Sequence, residues 1–247
     1  MKIVITGANS FVGRLYTNVL KDEHDLILLS SSNSISLNSW HLTEPFPDQC
    51  IDADLFIHLA YDYSHSNSSN VINLIEGIEK ISNPNCLHVY FSSYSARVGS
   101  NSKYGTNKFA MEQYFKNKNA VIVRPGLIVA SQGIFEKIRS LASRLWIIPI
   151  PLIESKSIPI CRPQDLIIFL HDLITSCSNN EVHLSEVNLY DIELVSLKQL
   201  FKDIMLLNKI YIIFPYEIIY VCILFIEKLG LKLPVTSDNF RGYFSNN

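Results

Sequence analysis

The stretch KIVITGANSFVG, residues 2–13, is the most informative part of the sequence about the fold. Its apolar, β-branched run 2–6 predicts a strand that is buried on both faces. Gly7 follows this strand directly, and Gly13 falls inside the beginning of a helix predicted for 11–21. A glycine turn that leads from a strand into a helix N-terminus is an arrangement that binds a pyrophosphate. The alternative is a plain turn between the two elements.

Ser10 stands in this loop at the position where a middle glycine is usual. Its hydroxyl is able to cap the helix or to bond a phosphate, whereas its side chain narrows the approach to the backbone. We predict that Asn9, Phe11 and Val12 complete the loop around the phosphates.

The end of the second predicted strand, 25–30, bears on the choice of dinucleotide. Enzymes that are specific for NAD usually carry Asp or Glu here, because a carboxylate bonds the ribose hydroxyls. Ser30 and Ser31 occupy this region instead, together with Ser32. No carboxylate repels a 2′-phosphate and no Arg attracts one. The sequence therefore predicts NADP or NAD as the cofactor, with NADP favoured.

Apolar strand patterns and helical patterns continue to alternate along the chain. Further strands are predicted at 53–60, 86–92 and 120–124, a short one at 35–38, and helices near 67–82 and 103–117. This alternation predicts an α/β fold with a Rossmann-like, doubly wound parallel sheet. Ligands of such sheets bind at the carboxyl ends of the strands.

The pattern loosens after Pro125. Helices are predicted at 133–144, 163–176, 195–207 and 215–229, with a strand near 186–190. We interpret 1–130 as the dinucleotide-binding core and 131–247 as a small, mostly helical substrate cap. Some segments of the cap return to the core, so that the chain forms a single structural unit.

Composition limits the partners and the compartment. The 247 residues carry a net charge of −2 without a basic stripe, which argues against a nucleic-acid partner. The five Cys are scattered and odd in number, which predicts reduced thiols in a cytoplasmic protein rather than a disulfide framework or a metal site.

The segment 210–226 raises the question of a membrane, because Glu217 is its only charged residue. The segment is shorter than the ~20 apolar residues that cross a bilayer. Pro215 is predicted to begin a helix that runs to about Leu229 and ends at Gly230. A helix that is apolar nearly all round is expected to be buried on more than one side. A core or subunit-interface position, as in a homodimer, is favoured over contact with a membrane surface.

Tyr104 and Lys108 form a YxxxK pair, and Tyr114 and Lys118 form a second one. Residues i and i+4 share a helix face, so that the Lys108 ammonium would lie beside Tyr104 and lower the pKa of a phenol from about 10. Such a phenol could exchange a proton with a substrate near neutral pH. About one chance pair is expected in a chain of this length, so that only context separates the two.

Six segments, in order along the chain, supply this context. They are TGANSFVG (6–13), DLFIHLA (54–60), YFSSYSA (90–96), YGTNK (104–108), IVRPGLIV (122–129) and KLGLKLPVTSDNFRGYF (228–244). Together they resemble the extended short-chain dehydrogenase/reductase family, the NAD(P)-dependent nucleotide-sugar epimerases, dehydratases and reductases of polysaccharide biosynthesis. The resemblance selects Tyr104 and Lys108, since Tyr114 lies about 15 Å further along the same helix.

The resemblance implies a role for each matched residue. Tyr104 would be the acid/base, Lys108 would also hold the nicotinamide ribose, and Ser93 would bond the substrate oxygen, with Ser92 as the alternative. The remaining matched residues would lie beside the cofactor. They are His58, Leu59 and Ala60 after the fourth strand of the family and Pro125 and Gly126 after the sixth.

The substrate and the reaction are less determined. Tyr94 is a candidate substrate contact, and Arg139 and Arg162 are candidates for the pyrophosphate of a nucleotide sugar. The 4,6-dehydratases of the family carry adjacent Asp and Glu after the active-site hydroxyl, where this chain has Tyr94 and Ser95. An epimerase or a 4-ketosugar reductase is therefore favoured. The alternatives are an NAD(P)-binding regulator or assembly partner with little turnover and a membrane-peripheral subunit of a glycan pathway.

Overall fold

A computed structural model describes residues 1–31, 38–61, 69–152, 157–179, 185–191, 195–231 and 233–244. Its strands are β1 (Lys2–Thr6), β2 (Asp25–Ser30), β3 (Asn38–Ser39), β4 (Leu55–His58), β5 (Leu87–Phe91), β6 (Ala120–Pro125), β7 (Leu127–Ile128), β8 (Ile147–Leu152), β9 (Ser157–Ile158), β10 (Ile160–Cys161), β11 (Glu186–Leu189), β12 (Val195–Ser196) and β13 (Ile210–Pro215). Its helices are α1 (Phe11–Leu20), α2 (Ser69–Ile78), α3 (Lys103–Phe115), α4 (Gly133–Arg144), α5 (Pro163–Ser178), α6 (Leu197–Gln199), α7 (Tyr216–Lys228) and α8 (Ser237–Phe244). A 3-10 turn covers Asp48–Cys50 and a π-helical turn covers Leu200–Ile204.

Seven strands form one parallel sheet in the order β11-β6-β5-β4-β1-β2-β3. From β1 the chain moves outward through β2 and β3, and it then crosses back to β4, β5 and β6. This reversal leaves a crevice at the carboxyl ends of β1 and β4, where such sheets bind ligands. The predicted Rossmann-like doubly wound sheet is confirmed.

Helices cover both faces of this sheet, which explains why its central strands are apolar on both sides. Every residue of β4 and β5 is buried. On one face α1 and α5 pack through side chains such as Tyr16 and Phe169. On the other face α2 and α3 pack through side chains such as Leu74 and Met111.

The later part of the chain contains more strand than the sequence predicts. β8 pairs with β13 and β7 with β10 in parallel, and β9 pairs with β12 in antiparallel fashion. Pro149 and Pro151 hide β8 from a sequence pattern, yet a strand with a free edge tolerates residues that lack an N–H. The strand β11 joins the main sheet beside β6. The boundary near residue 130 between a core and a cap stays a prediction.

Two predicted elements differ in form or fall partly outside the description. The helix predicted for 195–207 is three residues of α6 followed by the π-helical turn, and Leu206 after it has a left-handed φ of 55°. The strand predicted for 35–38 and Ser32 lie outside the described residues, except that Asn38 begins β3.

The helix α7 has nearly the predicted bounds, since Pro215 precedes it and Gly230 with a φ of 77° follows it. Its predicted burial is wrong within this chain, because none of its residues is buried. A sequence pattern shows that a helix face is apolar but not which molecule covers it. In the part of the chain that the structure describes, no helix is long and apolar enough to cross a membrane.

Candidate active site

The loop between β1 and α1 is closely packed at both glycines. Gly7 has a φ of +66°, and a Cβ added there would lie 3.0 Å from the backbone N of Ala60. A Cβ at Gly13 would lie 2.6 Å from the carbonyl oxygen of Gly7. The Thr6 hydroxyl accepts hydrogen bonds from the N–H groups of Leu59 (3.1 Å) and Ala60 (3.2 Å). The loops after β1 and β4 therefore form one surface at the crevice. A larger residue at Gly7 would push these loops apart, and one at Gly13 would push α1 away from the loop before it.

Ser10 is the N-cap of α1, and its hydroxyl accepts a hydrogen bond of 3.0 Å from the N–H of Gly13. Of the two uses that the sequence allows for this hydroxyl, the structure shows the cap. The Ser10 side chain also lines the crevice. A glycine at this position lets the backbone approach a phosphate closely. In this loop the position carries the Ser10 side chain instead.

The crevice opens into a cavity of about 940 Å³. Residues predicted to contact the cofactor make up much of its wall, namely Gly7, Asn9, Ser10, Val12, Ser30, Ser31, Leu59, Ala60 and Lys108. Trp40, His41, Leu42 and Thr43, from the segment after β3, also line it, although no sequence pattern marks them. The volume is at the upper end of the range for small-molecule sites.

His58 is not part of this wall. Its ring is 1% exposed and stacks on Phe56 at 4.5 Å, on the face of the sheet that α2 and α3 cover. Its Nε2 lies 3.1 Å from Nδ1 of His88. Burial lowers the pKa of His58 well below its ordinary value, so that this imidazole is a neutral core residue. Only the backbone that follows it, at Leu59 and Ala60, reaches the crevice.

A second cavity of about 300 Å³ adjoins the first. The predicted site residues in its wall are Phe11, Ser93, Tyr94, Tyr104, Pro125 and Gly126. Gly126 is tightly constrained, because a Cβ there would lie 2.4 Å from the carbonyl oxygen of Pro159. Tyr104 also lines the larger cavity, as do Ser92 and Ile128, so that these three residues lie where the two cavities meet.

Lys108 lies one turn after Tyr104 on α3. Its side chain is 3% exposed, its Nζ donates a 2.7 Å hydrogen bond to the carbonyl of Phe91, and Nζ is 5.8 Å from the centroid of the Tyr104 ring. Burial lowers the pKa of Lys108 to about 7, although the Glu112 carboxylate opposes this shift. Burial thus favours the neutral amine beside Tyr104, whereas the sequence suggests an ammonium.

Two residues at the end of β5 have different surroundings. Ser92 is 4% exposed and donates a hydrogen bond to the buried carboxylate of Glu112. Arg124 holds the same carboxylate through two bonds of 2.7 and 2.6 Å. Both serines line the smaller cavity, but the Ser93 hydroxyl accepts only from the neutral N–H of Ser95, at 3.2 Å, among its backbone contacts. Ser92 is engaged in a buried network, and this arrangement favours Ser93 as the substrate contact.

The first turn of α3 is held by two side chains. The Ser102 hydroxyl accepts from the N–H of Gly105 at 2.9 Å. Asp238, from α8, accepts from the N–H groups of Lys103 at 2.9 Å and of Tyr104 at 3.2 Å. Sequence reasoning missed Asp238, because nothing in the local sequence links it to a helix so distant along the chain.

Three solved structures show what this arrangement resembles. A UDP-galactose 4-epimerase matches with a TM-score of 0.63 at 14% identity, over 99% of this chain and 97% of that one. A dTDP-4-dehydrorhamnose reductase from Clostridium acetobutylicum matches with a TM-score of 0.66 at 15% identity, over 88% and 85%. A human epimerase family protein, solved with NADPH, matches with a TM-score of 0.64 at 14% identity, over 100% of both chains. The chain has the fold of NAD(P)-dependent epimerases and reductases.

Sequence comparison alone does not reach this result. A scan against protein-family models finds no match, and a search of curated proteins finds none either. The likeness in structure confirms the fold that the motif order implied. It includes both an epimerase and a reductase, so that the fold by itself does not select between these reactions.

The second YxxxK pair has no place in the cavities of this epimerase/reductase fold. The Tyr114 hydroxyl donates to Glu79 at 2.6 Å, and Lys118 donates to the same carboxylate at 2.8 Å. Neither residue lines the two cavities. The pair forms a polar cluster on the surface.

The predicted substrate arginines also lie elsewhere. Arg139 pairs with Glu136 at 2.7 Å, and Arg162 pairs with Asp191 at 3.2 Å. Neither lines the two cavities. Tyr94 does line the smaller one, and its ring meets Tyr190 edge-on at 5.9 Å.

Arg14 is a cation that sequence reasoning missed. Its guanidinium donates to the side chains of Asn9 at 3.1 Å and of Gln132 at 2.5 Å. Asn9 lines the larger cavity and Gln132 the smaller one, so that Arg14 connects the two walls. Its position one turn into the helix after the glycine loop is the signal that could have found it. Among the described residues, no group of three His, Cys, Asp or Glu side chains is placed to hold a metal ion.

Proposed function

We propose that the protein is an NAD(P)-dependent oxidoreductase or epimerase that acts on a nucleotide-linked sugar. The observation that carries this proposal is the position of Tyr104, whose side chain lines both the cavity at the glycine loop and the cavity at Ser93. A proton-transfer group at this junction can touch a substrate in one cavity while a cofactor occupies the other. The neighbours in structure include an epimerase and a reductase named for UDP- and dTDP-linked sugars.

The residues of the larger cavity fit a nicotinamide dinucleotide. The loop from Gly7 to Gly13 and the N-terminus of α1 would hold the pyrophosphate, and Ser30 and Ser31 would face the adenosine ribose. No carboxylate ends β2, which favours NADP. Two structural neighbours were solved with NADPH and one with NAD. The bound cofactor would supply the hydride acceptor or donor.

Tyr104 would take the proton from a sugar hydroxyl as the carbonyl forms, and it would return a proton when the carbonyl is reduced. Ser93 would orient the reacting oxygen by a hydrogen bond. Lys108, when protonated, would stabilise the Tyr104 phenolate and bond the nicotinamide ribose. Since burial brings the pKa of Lys108 to about 7, its charge would depend on pH in the working range.

Epimerisation or reduction of a 4-keto sugar is favoured over dehydration. The residues after Ser93 are Tyr94 and Ser95, and neither can provide the carboxylate pair of a 4,6-dehydratase. Arg14, between the walls of the two cavities, is better placed than Arg139 or Arg162 to bond a phosphate.

The test is a panel of UDP-, GDP- and dTDP-linked sugars and 4-keto sugars, supplied with NADP or NAD in either redox state. Nicotinamide absorbance and the product isomers would be followed together. An epimerase would interconvert isomers without a net change in absorbance, whereas a reductase would consume reduced cofactor in step with its product. Tyr104→Phe should bind the cofactor as wild type does and convert the sugar about 10²–10⁴-fold more slowly.

Two outcomes would contradict the proposal. Cofactor binding without conversion of any sugar by wild type would indicate a regulator or assembly partner. Failure to bind either dinucleotide would show that the larger cavity is not a cofactor site. Tyr114→Phe is the matched control, because it removes a surface phenol of the same helix.

A further inference from the structure

Three tyrosine rings enclose the amine of Lys108. Its Nζ lies 4.8 Å from the ring centroid of Tyr90, 5.3 Å from that of Tyr61 and 5.8 Å from that of Tyr104. The negative face of an aromatic ring attracts an ammonium within about 6 Å of its centroid. A neutral amine gains little from this attraction. The three rings therefore favour the charged form of Lys108, whereas its burial favours the neutral form.

Tyr61 is fixed at both ends of its side chain. It directly follows Ala60, whose N–H is bonded to the Thr6 hydroxyl at 3.2 Å. Its own hydroxyl accepts a 3.3 Å hydrogen bond from the side-chain amide of Asn107, three residues after Tyr104 on α3. The loop after β4 and the helix α3 thus hold the Tyr61 ring between them.

The Tyr61 ring also meets the ring of Tyr104. The two centroids are 4.8 Å apart and the ring planes are inclined by 81°, the edge-on arrangement that aromatic pairs prefer. Both residues line the larger cavity and also a third one of about 390 Å³, called the polar cavity below. The charged and aromatic residues that complete the polar cavity are Lys103, Tyr220, Glu227, Asp238 and Arg241. Tyr61 therefore limits where the phenol of Tyr104 can stand.

The carboxylate nearest to Lys108 along α3 is already paired. Burial lowers the pKa of Lys108 to about 7, and Glu112, four residues later on α3, opposes this shift. The Glu112 carboxylate also holds the Arg124 guanidinium at 2.7 and 2.6 Å and accepts from Ser92. A neighbouring positive charge offsets part of the field of a carboxylate at a third group. The tyrosine faces are thus a second source of stabilisation for the ammonium.

We propose that Tyr61 is a positioning residue, which keeps Lys108 protonated beside Tyr104 and holds the Tyr104 ring in place. The inference rests on the proposed function, since it concerns the acid/base of that reaction. The ammonium favours the phenolate of Tyr104, so that the phenol releases its proton more readily. Tyr61 would act through these two residues and would exchange no proton itself.

Other titratable groups face the same two side chains. Around Lys108 they are His58 of β4, Tyr90 of β5 and Glu112 of α3. Around Tyr104 they are Asp238, which accepts from its backbone N–H, and the charged residues of the polar cavity, Lys103, Glu227 and Arg241. All of them are retained in the variants below, so that a change in titration is assigned to position 61.

Ultraviolet titration of the protein without cofactor tests the proposal. The absorbance of ionised phenol is recorded against pH for wild type and Tyr61→Leu, and the record of the same protein with Tyr104→Phe is subtracted from each. The difference reports the ionisation of Tyr104. In Tyr61→Leu it should move to higher pH by about half a pH unit or more, because less ammonium favours the phenolate. Tyr61→Phe keeps the ring face and should titrate as wild type.

A second variant separates the charge of the ring face from its shape. Pentafluorophenylalanine at position 61 has nearly the shape of phenylalanine but lacks the negative face, and it should shift the titration as Tyr61→Leu does. It decides the question if Tyr61→Leu does not fold. Tyr220→Leu, in the wall of the polar cavity, is the matched control and should leave the Tyr104 titration unchanged. An unchanged titration with pentafluorophenylalanine would overturn the proposal. A shift to lower pH would also overturn it, because Tyr61 would then only shield Lys108 from water.

Turnover distinguishes this inference from the proposed function. On the sugar that wild type converts fastest, Tyr61→Leu should lower kcat by about 2- to 30-fold, and Tyr61→Phe should restore it. A kcat of Tyr61→Leu equal to that of wild type would contradict the positioning role. If wild type converts no sugar, the proposed function fails, and the titration still decides whether Tyr61 maintains the charge of Lys108.

Discussion

The carboxylate of Asp238 accepts a hydrogen bond from the backbone N–H of Tyr104. Its other oxygen accepts from the N–H of the preceding residue, so that α8 satisfies two of the N–H groups that have no partner within α3 at its beginning. A carboxylate at this end also complements the helix dipole. Asp238 therefore holds the backbone of the proposed acid/base from a distance of 134 residues.

Asp238→Ala should lower both stability and turnover. Loss of a capping carboxylate costs about 1 kcal/mol of unfolding free energy, and a displaced Tyr104 should lower kcat while the dissociation constant of the cofactor stays the same. Asp238→Asn keeps one acceptor oxygen and should recover part of kcat. Urea unfolding and steady-state kinetics measure the two effects.

The control for this position is Asp165→Ala, which removes the carboxylate that accepts from the N–H of Arg162 at the beginning of α5. It should cost similar stability without a change in kcat. A purely structural role of Asp238 would be indicated if the two variants gave the same kinetics.

Ser10→Gly should strengthen cofactor binding. The change removes the side chain that narrows the approach to the pyrophosphate, and Gly costs only a few tenths of a kcal/mol at an N-cap. Fluorescence titration with NADPH would measure the dissociation constant. Ser196→Gly changes the N-cap of α6, away from the crevice, and should leave it unaltered. Weaker binding by Ser10→Gly would show that the hydroxyl itself bonds the phosphate.

Glu112→Gln should be strongly destabilising. The residue is fully buried, and its carboxylate holds both Arg124 and Ser92. Removing one partner of a buried ion pair costs about 3–5 kcal/mol. Glu79→Gln breaks the exposed pair with Lys118 and should cost much less, because solvent screens this pair. If both variants lost the same unfolding free energy in urea, the buried network would contribute no more stability than the exposed pair.

The buried histidine pair should make the fold sensitive to acid. Burial lowers the pKa of His88 to about 4, below the ordinary value of 6.5. Between these values the unfolded chain binds a proton that folded His88 does not, so that the unfolding free energy falls as the pH decreases from about 6.5 to 4, by up to ~1.4 kcal/mol per pH unit. Above about pH 6.5 His88 is unprotonated in both states, so that the unfolding free energy no longer changes with pH through this residue.

His88→Asn should reduce this slope, while His58 retains its own contribution. His171→Asn changes an exposed histidine of α5 and should leave the slope as it is. Urea midpoints measured across this pH range supply the comparison. If the pH dependence of the unfolding free energy were unchanged in His88→Asn, His88 of the folded protein would also bind a proton in this pH range.

The sheet and the glycine loop are predictable because their signals are local. The run 2–6, Gly7 and the helix after it each depend on neighbouring residues, and the same holds for Tyr104 and Lys108. The strands β8 and β13 pair although more than fifty residues separate them in the sequence. The prolines of β8 also conceal this strand from a sequence pattern. Asp238 was missed for the same reason, since its partners are distant in sequence.

The surroundings of individual side chains are the second feature that the sequence did not predict. The sequence places Ser92 and Ser93 side by side, and only the fold shows that Glu112 engages the first. Burial also changes the charge expected of Lys108. The apolar pattern of α7 was identified correctly, but the pattern does not show whether this chain buries the helix.

The role of Tyr104 as the acid/base is tested by the turnover of Tyr104→Phe relative to wild type, measured on the sugar that wild type converts fastest. The turnover of this variant should fall by about 10²–10⁴-fold, because it keeps the ring and loses the proton-transfer group. Tyr114→Phe, in the same helix but outside both cavities, should keep the wild-type rate. Wild-type turnover by Tyr104→Phe would contradict the account.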